Sequence, residues 1–397
     1  MKDRGNRLEP ALVLPPILGS KQSIDSFMKQ LLALDGLADV LVQTDDYVWC
    51  KIHGVHVRAS DRVISSNEMD ALLWGLFNQQ AQALLASGRG LDWDVTTKDD
   101  AGVDWSLRAN ATSCYVGDVP NAYTITMRRA DPLPRPFESL GLEPELCEEL
   151  FPAYGLVIVV GITGSGKTTI LRSALRAWLE GDRPVKITTY EQPREGSFGR
   201  LGEGRMPLVS QVEIGEGRNL SEFKFAAPNA MRRGCDVLVL GEMRDTLSGE
   251  AGLEFATTGH AVYATMHTET PGQTVGRLVG FFPVDAQPSV ANKFMGAVRV
   301  IVAQKQFPLR SGGTARVRSW VVMDRALRGI LQEHPFSQWE KVIDRVVAER
   351  GASFEDGAFP YLQRGEIDLR RFSETAGMTQ REAREYCDRK GWRGHGV

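Results

Sequence analysis

The chain has 397 residues, a formal net charge of −3 and 42% hydrophobic residues, enough for two or three domains with a large core. A balance this near neutrality argues against a dedicated nucleic-acid binder, which carries a basic domain. Five scattered cysteines with no C-x-x-C give no zinc module and fit a reducing compartment. No apolar run approaches the ~20 residues of a membrane span. Pro15-Pro16 interrupt the apolar piece near the start, so the reading is a cytoplasmic protein without a signal peptide.

In chain order, residues 1–20 read as a flexible, poorly ordered N-terminal arm. Gln22 to Leu34 has helical spacing through Ile24, Phe27, Leu31 and Leu32. Strand-like runs follow at Ala38–Gln43, Tyr47–Ile52 and Val55–Ala59, with a tight turn at His53-Gly54. A helix is expected from Ser66 to Ser87, with Ser66 as N-cap and Met69, Leu72, Leu73, Leu76 and Phe77 on one face. Further strands fall at Gly90–Thr96, Val103–Ala111 and Ala122–Arg129. Residues 21–129 thus form a mixed α+β domain. The stretch 130–136 holds three prolines in seven residues and reads as a stiff, extended linker.

From Phe137 the pattern alternates strand and helix, as in a parallel α/β sheet, over 137–334. Strands are expected at Val157–Val160, Lys186–Tyr190, Leu208–Val212, Val237–Leu240 and Ala261–Thr265. Residues 335–397 read as a helical C-terminal region. Ser337 with Glu340, and Thr379 with Glu382, fit capping boxes. Val342, Ile343, Val346 and Val347 make the apolar face of the first of these helices. The last 25 residues are partly amphipathic, and packing is the simplest reading of them.

Gly161-Ile162-Thr163-Gly164-Ser165-Gly166-Lys167-Thr168-Thr169 carries the clearest chemistry. It fits G-x-x-x-x-G-K-[ST], between the apolar run Leu156–Val160 and the helical stretch Ile170–Leu179, which is the context a phosphate-binding loop requires. Glycines let backbone N–H groups turn inward around phosphate oxygens, and the following helix aims its positive end at them. Lys167 reaches the β- and γ-phosphates, and the Thr168 hydroxyl is a Mg²⁺ ligand. Hydrolysis also needs an acid to orient water. The run Asp236 to Leu240 delivers Glu242 to the carboxyl end of the sheet, with Gly241 in the place of the usual strand-end acid. Tyr190-Glu191-Gln192-Pro193-Arg194-Glu195 brings Glu191 to the same edge, either to hold Mg²⁺ through water or to assist the base. His260 and His267 bracket the strand Ala261–Thr265; structural and catalytic roles are equally open to them at this point.

Together these stretches resemble the secretion and pilus traffic ATPases of type II and type IV systems. Gly161–Thr168 is the phosphate loop, 190–195 the acidic box, and Ser210-Gln211-Val212-Glu213-Ile214-Gly215 the loop before the second acidic strand. Gly241-Glu242-Met243-Arg244-Asp245 is similar to the family's atypical Walker B. Thr258-Gly259-His260 with Thr265-Met266-His267-Thr268 is similar to its histidine box. The resemblance spans about residues 25 to 370. It implies a PAS-like N-terminal domain, a RecA-like α/β ATPase domain and a hexameric ring that uses ATP and Mg²⁺. It gives Glu242 the catalytic-base role, Glu191 an acidic-box role and His267 a γ-phosphate sensor role. Arg108 and Arg128 match family arginines that reach the nucleotide across an interface, as arginine fingers do. Gln192 stands where many relatives carry an acid, and Pro228 is expected to kink a helix from Ser221 to Arg232.

Assembly motors of the family carry a four-cysteine zinc module, which this chain lacks. Tyr190-Glu191-Gln192-Pro193, Ser210 to Ile214, Arg218-Asn219-Leu220 and Arg232-Arg233 resemble the type IVB and conjugal branch; Ala326 to Leu331 partly matches a helix motif of retraction motors. The expectation is a hexameric ATPase partnered by inner-membrane secretion or transfer machinery. The rivals are a pilus retraction motor, a nucleic-acid translocase, for which the charge balance gives no support, and a nucleotide-locked docking platform.

Overall fold

The computed structural model describes residues 11–53, 55–102, 104–130, 133–182, 185–198, 201, 209–215 and 218–392. They divide into two compact units. The first draws on Met1–Pro134, Gln192–Arg200 and Glu213–Asn219; the second draws on Arg135–Glu191, Leu201–Val212 and Leu220–Val397. Part of the linker stretch, residues 131 and 132, lies outside the described residues, as does Gly54 of the expected turn.

The first unit is built on a six-stranded sheet in the order β3-β2-β1-β6-β5-β4. Its strands are β1 (Leu37–Gln43), β2 (Asp46–Ile52), β3 (Val55–Ile64), β4 (Leu91–Lys98), β5 (Asp104–Val116) and β6 (Val119–Ala130). Every pairing is antiparallel, so alternate residues can face core and water. Val40, Val42, Leu107, Ala109, Ile125 and Met127 face inward, against Phe27, Met28 and Leu31 of the helix Lys21–Leu32 and Met69, Leu72 and Leu73 of the helix Ser66–Leu76.

Two expectations in this unit fail. The described part of the arm is packed: Leu12, Leu14 and Leu18 are buried. The Leu12 N–H donates to Ala59 at 2.9 Å, and the Leu18 N–H donates to the Glu68 carboxylate at 2.8 Å. The expected helix 66–87 is two helices, Ser66–Leu76 and Ala81–Ala86. Phe77 leaves the helical region at φ −113°, ψ −86°, and the Asn78 side chain accepts the Gln80 N–H at 2.8 Å, a local turn that competes with helix. The N-cap is Ser65, whose N–H and hydroxyl both donate to Glu68, at 3.0 and 2.8 Å.

The second unit holds a seven-stranded sheet in the order β13-β12-β7-β11-β10-β8-β9. These are β7 (Gly155–Val160), β8 (Ile187–Glu191), β9 (Val209–Glu213), β10 (Val237–Leu240), β11 (Ala261–Met266), β12 (Val298–Pro308) and β13 (Thr314–Val322). β12, β7, β11, β10 and β8 run parallel, and β13 turns back antiparallel on β12. Every residue of β7, β10 and β11 is buried, as continuous apolar runs in a doubly covered parallel sheet should be. The five expected strands are present within two residues; the β12–β13 hairpin is additional.

Local corrections follow from chain-end chemistry. Pro228 is the third residue of the helix Ala226–Arg233, where the backbone N–H has no intrahelical acceptor, so it starts a helix and does not kink one. Ser337 and Glu340 form no capping box: a 3₁₀ turn, Phe336–Gln338, leads into the helix Trp339–Glu349, capped at Gln338. Val342, Ile343, Val346 and Val347 are buried, and the Thr379–Glu382 capping box forms.

Candidate active site

The phosphate loop leaves β7 and enters the helix Lys167–Glu180 at its first turn. Gly161 and Gly166 have φ of +147° and +94°. A Cβ at Gly161 would stand 2.5 Å from Ser165 Oγ and 2.6 Å from Gln304 O; one at Gly166 would stand 2.7 Å from Gln304 Nε2. Both positions therefore exclude side chains on space as well as conformation. Lys167 is buried, and its ammonium donates to the Gly161 and Ile162 carbonyls at 2.8 and 3.0 Å. Burial lowers its pKa, while the negative charge of Glu242 works the other way. Lys167 and Glu242 thus feel one another across the strand ends. Ser165 Oγ is buried with no hydrogen-bond partner. A glycine cradle with a buried lysine and an unpaired hydroxyl suits a polyphosphate.

Strand order explains why distant acids gather here. β7, β11, β10 and β8 are consecutive and parallel, so the residues after their carboxyl ends form a row: the loop after β7, His267 after β11, Glu242 after β10, and Glu191 ending β8. Ligands of open α/β sheets bind along this edge. His267 Nε2 lies 3.3 Å from Glu242 Oε1, both side chains partly exposed. Glu191 is buried at 3% exposure and accepts from Thr189 Oγ1 at 3.2 Å. It packs on Gly241, just after β10, where an added Cβ would meet Glu191 Cα and Cγ at 3.3 Å, a tight contact. Arg244 N–H donates to Ser248 Oγ at 3.0 Å, and Asp245 caps the next helix, accepting the Ser248 N–H at 2.9 Å. Among the described residues no three His, Cys, Asp or Glu side chains gather as a metal cluster. Thr168, the second residue of the helix Lys167–Glu180, offers the hydroxyl that would hold Mg²⁺ beside phosphate oxygens and water.

The remaining sequence candidates lie elsewhere. His260 precedes β11, at the opposite end of that strand from His267. It is held by Thr258 Oγ1 at 2.9 Å and by the Phe255 ring, 4.5 Å centroid to centroid, so a structural role accounts for it. Arg108 and Arg128 belong to the first unit and sit directly opposite one another on β5 and β6. Arg128 Nε donates to Asp39 at 2.7 Å, and Arg108 pairs with Glu195. Arg194, next to Glu195, donates to Asp94 at 3.0 Å and Thr96 at 2.7 Å.

Residues of β12 and β13 escaped the sequence reading. Gln304 and Gln306 donate to the Ser165 and Gly164 carbonyls of the phosphate loop at 2.6 and 2.7 Å. No motif marks them; the available signal is the short apolar run Val300–Ala303 that precedes them.

The family model described as Type II/IV secretion system protein matches residues 97–328. Among solved structures, the Legionella pneumophila ATPase DotB is similar at 28% identity and TM-score 0.83, over 92% of this chain and 99% of that one. The pilus retraction motor PilT with bound ADP shares the fold at 23% identity and TM-score 0.75, over 90% and 98%. The type IV pilus retraction ATPase PilT of Pseudomonas aeruginosa is 31% identical over 189 residues, 48% of this chain. The chain spans about half the length of that curated relative, 53%, and 61% of another. No described helix is long and apolar enough to cross a membrane. With more than half of its length matched by the family model, the chain belongs to the Type II/IV secretion system protein family, and the relatives DotB and PilT of Pseudomonas aeruginosa are ATPases.

Proposed function

We propose that this chain is the ATP-hydrolysing subunit of a cytoplasmic, hexameric motor that powers a type IV, IVB-like, secretion or conjugal transfer apparatus at the inner membrane. One observation carries the catalytic part: Lys167, His267, Glu242 and Glu191 fall in one row on the carboxyl edge of four neighbouring parallel strands. Similarity to DotB over 92% of the chain supports the branch.

In this reading the loop N–H groups and Lys167 hold the β- and γ-phosphates, and the Lys167 ammonium exchanges the Gly161 and Ile162 carbonyls for phosphate oxygens. Thr168 would hold Mg²⁺, which when bound would neutralise phosphate charge. Glu242 orients the attacking water and accepts its proton. His267, 3.3 Å from that carboxylate, fixes its direction and stands where it can sense the γ-phosphate. Glu191, buried beneath Gly241, supports Glu242 from the next strand and keeps the site's negative charge high. Arg108 and Arg128 are candidates to close over a neighbouring subunit's nucleotide.

The test is phosphate release by the purified full-length chain with Mg²⁺ and ATP. Glu242→Gln should retain ATP and lose turnover, and Lys167→Ala should lose both. Normal hydrolysis by either variant would refute the site. Pilus retraction is the second reading, favoured by the 31% identity to PilT of Pseudomonas aeruginosa. Deleting the gene and scoring secretion or conjugal transfer against twitching motility separates the two. Stimulation by single-stranded DNA that fades with salt would instead favour a translocase.

A further inference from the structure

We infer that Gln304 and Gln306 are positioning residues that set the direction of the phosphate loop's N–H groups, and that Arg318 sets the direction of Gln304. The inference rests on the ATPase reading above. It starts from peptide geometry. In a planar trans peptide the C=O and N–H point in opposite directions. Gln304 Nε2 donates to Ser165 O at 2.6 Å, which turns the Gly166 N–H away from β12. Gln306 Nε2 donates to Gly164 O at 2.7 Å, which holds the peptide whose Ser165 N–H donates within the loop to Ile162 O at 3.2 Å. In a loop of this kind the N–H side is where phosphate oxygens sit. The two glutamines are two apart on one strand, so both amides arrive from one face.

A side-chain amide has a donor end and an acceptor end, and only one orientation suits a carbonyl. Gln304 is 1% exposed, so water cannot correct a wrong choice. Arg318 decides it: its Nε donates to Gln304 Oε1 at 3.0 Å, leaving the NH₂ for Ser165. Arg318 is itself 5% exposed, and its remaining nitrogens donate to Gly141 O at 2.8 Å and Leu140 O at 2.9 Å. All three guanidinium nitrogens are used, in the fixed fork that only arginine offers. A buried relay therefore runs from residues 140–141, which follow the Pro-rich segment, through Arg318 and Gln304 to the phosphate loop. Close backbone approach agrees with it, since a Cβ at Gly161 or Gly166 would strike Gln304.

The experiment compares ADP and adenosine binding to the full chain by calorimetry, with melting temperature as the folding control. Gln304→Ala should weaken ADP about tenfold, the scale of one buried hydrogen bond lost. Gln304→Glu should weaken it further, because a carboxylate faces the Ser165 carbonyl. Gln306→Ala, at a more exposed site that cannot unfold the chain, should weaken ADP about threefold. Adenosine, which has no phosphate, should bind all variants alike. Arg318→Met should weaken ADP, and the double variant Gln304→Ala/Arg318→Met should match Gln304→Ala alone, since Arg318 acts through that amide. ADP affinities within twofold of wild type, equal loss of adenosine affinity, or multiplying effects in the double variant would each overturn the inference. A wild-type chain that bound no ADP would overturn the ATPase reading and the inference together; wild-type binding with unaffected variants would overturn the inference alone.

Discussion

Gly241→Asp restores the acid that commonly ends this strand, and it should be badly tolerated here. An added Cβ meets Glu191 Cα and Cγ at 3.3 Å and Cβ at 3.4 Å, so a new carboxylate would lie beside Glu191, which is 3% exposed. Two unit charges ~4 Å apart repel by about 4 kcal/mol at an effective dielectric near 20. Protonating one acid avoids that repulsion. Its cost is set by the distance of the pH from an ordinary carboxyl value, at about 1.4 kcal/mol per unit. That gives roughly 4 kcal/mol at pH 7 and roughly 1 kcal/mol at pH 5. The sign follows: the pair's effective pKa is raised on folding, so the penalty is present above the unfolded value and fades as pH falls to it. Gly241→Ala adds the Cβ without the charge, so its cost is about 1–2 kcal/mol at both pH values. Urea unfolding of both variants at pH 7 and pH 5 checks the argument. If Gly241→Asp were as stable as Gly241→Ala at pH 7, or if its deficit did not shrink at pH 5, the packing of Glu191 on Gly241 would not explain the glycine.

Glu242→Gln should leave ATP affinity within a few fold and lower kcat by about 10²–10⁴ in steady-state hydrolysis, the range for losing a general base; equal losses in binding and turnover would argue for a fold defect. Pro228→Ala should change urea stability by less than about 1 kcal/mol, because the third helical residue donates no intrahelical bond, whereas a gain near 3 kcal/mol would mean that the proline strains the helix after all. Burial raises the Glu68 carboxyl, but Arg62 and the Leu18 and Ser65 N–H groups outweigh it and bring the pKa down to about 2. The stability this contributes is present above the ordinary value of 4.5 and lost as pH falls toward about 2. Glu68→Gln should therefore flatten the acid-unfolding curve of the first unit between those values, followed by circular dichroism.

Legibility in the sequence followed the distance over which each signal acts. The phosphate loop and Glu242 each follow an apolar run that reads as a buried strand, which places them at a strand end; Glu191, after Ile187-Thr188-Thr189-Tyr190, and His267 gain a role in the sequence only through the family resemblance. β12 is hard to read because the helix Gln287–Ala297 runs into it at Val298 with no loop between, and Gly296 inside the last helical turn is the sole breaker there. A helix and a strand fused in this way leave no boundary for periodicity to mark. Gln304 and Arg318 are buried polar residues, and nothing local in the sequence separates them from exposed ones. The assignment of 192–200 and 213–219 to the first unit was equally hidden. It depends on contacts such as Arg194 to Asp94, 100 residues apart, and long-range pairing leaves no local pattern. The break at Phe77 and the start at Ala226 were missed for a smaller reason: an Asx turn and a proline each move a helix end by a few residues.

The arginine candidates gain a physical rationale from strand register. Asp94 on β4 opposes Arg108 on β5, which opposes Arg128 on β6, which opposes Asp39 on β1. Directly opposed residues share a face, so four strands present one row of charge: acid, base, base, acid. Two like charges at the centre of such a row repel, and the outer acids and Glu195 offset them. The Arg128 and Arg108 side chains are 71% and 44% exposed, while their partners Asp39 and Glu195 are 21% and 25% exposed. A phosphate anion can accept from two adjacent guanidiniums at once, which a single carboxylate between them would have to do at the cost of its own partner. A nucleotide phosphate reaching these arginines would have to displace Asp39 and Glu195, which are themselves charge-assisted acceptors. Where the row is a finger for another subunit's nucleotide, Arg108 and Arg128 act as one unit, and the loss of either should be felt nearly as strongly as the loss of both.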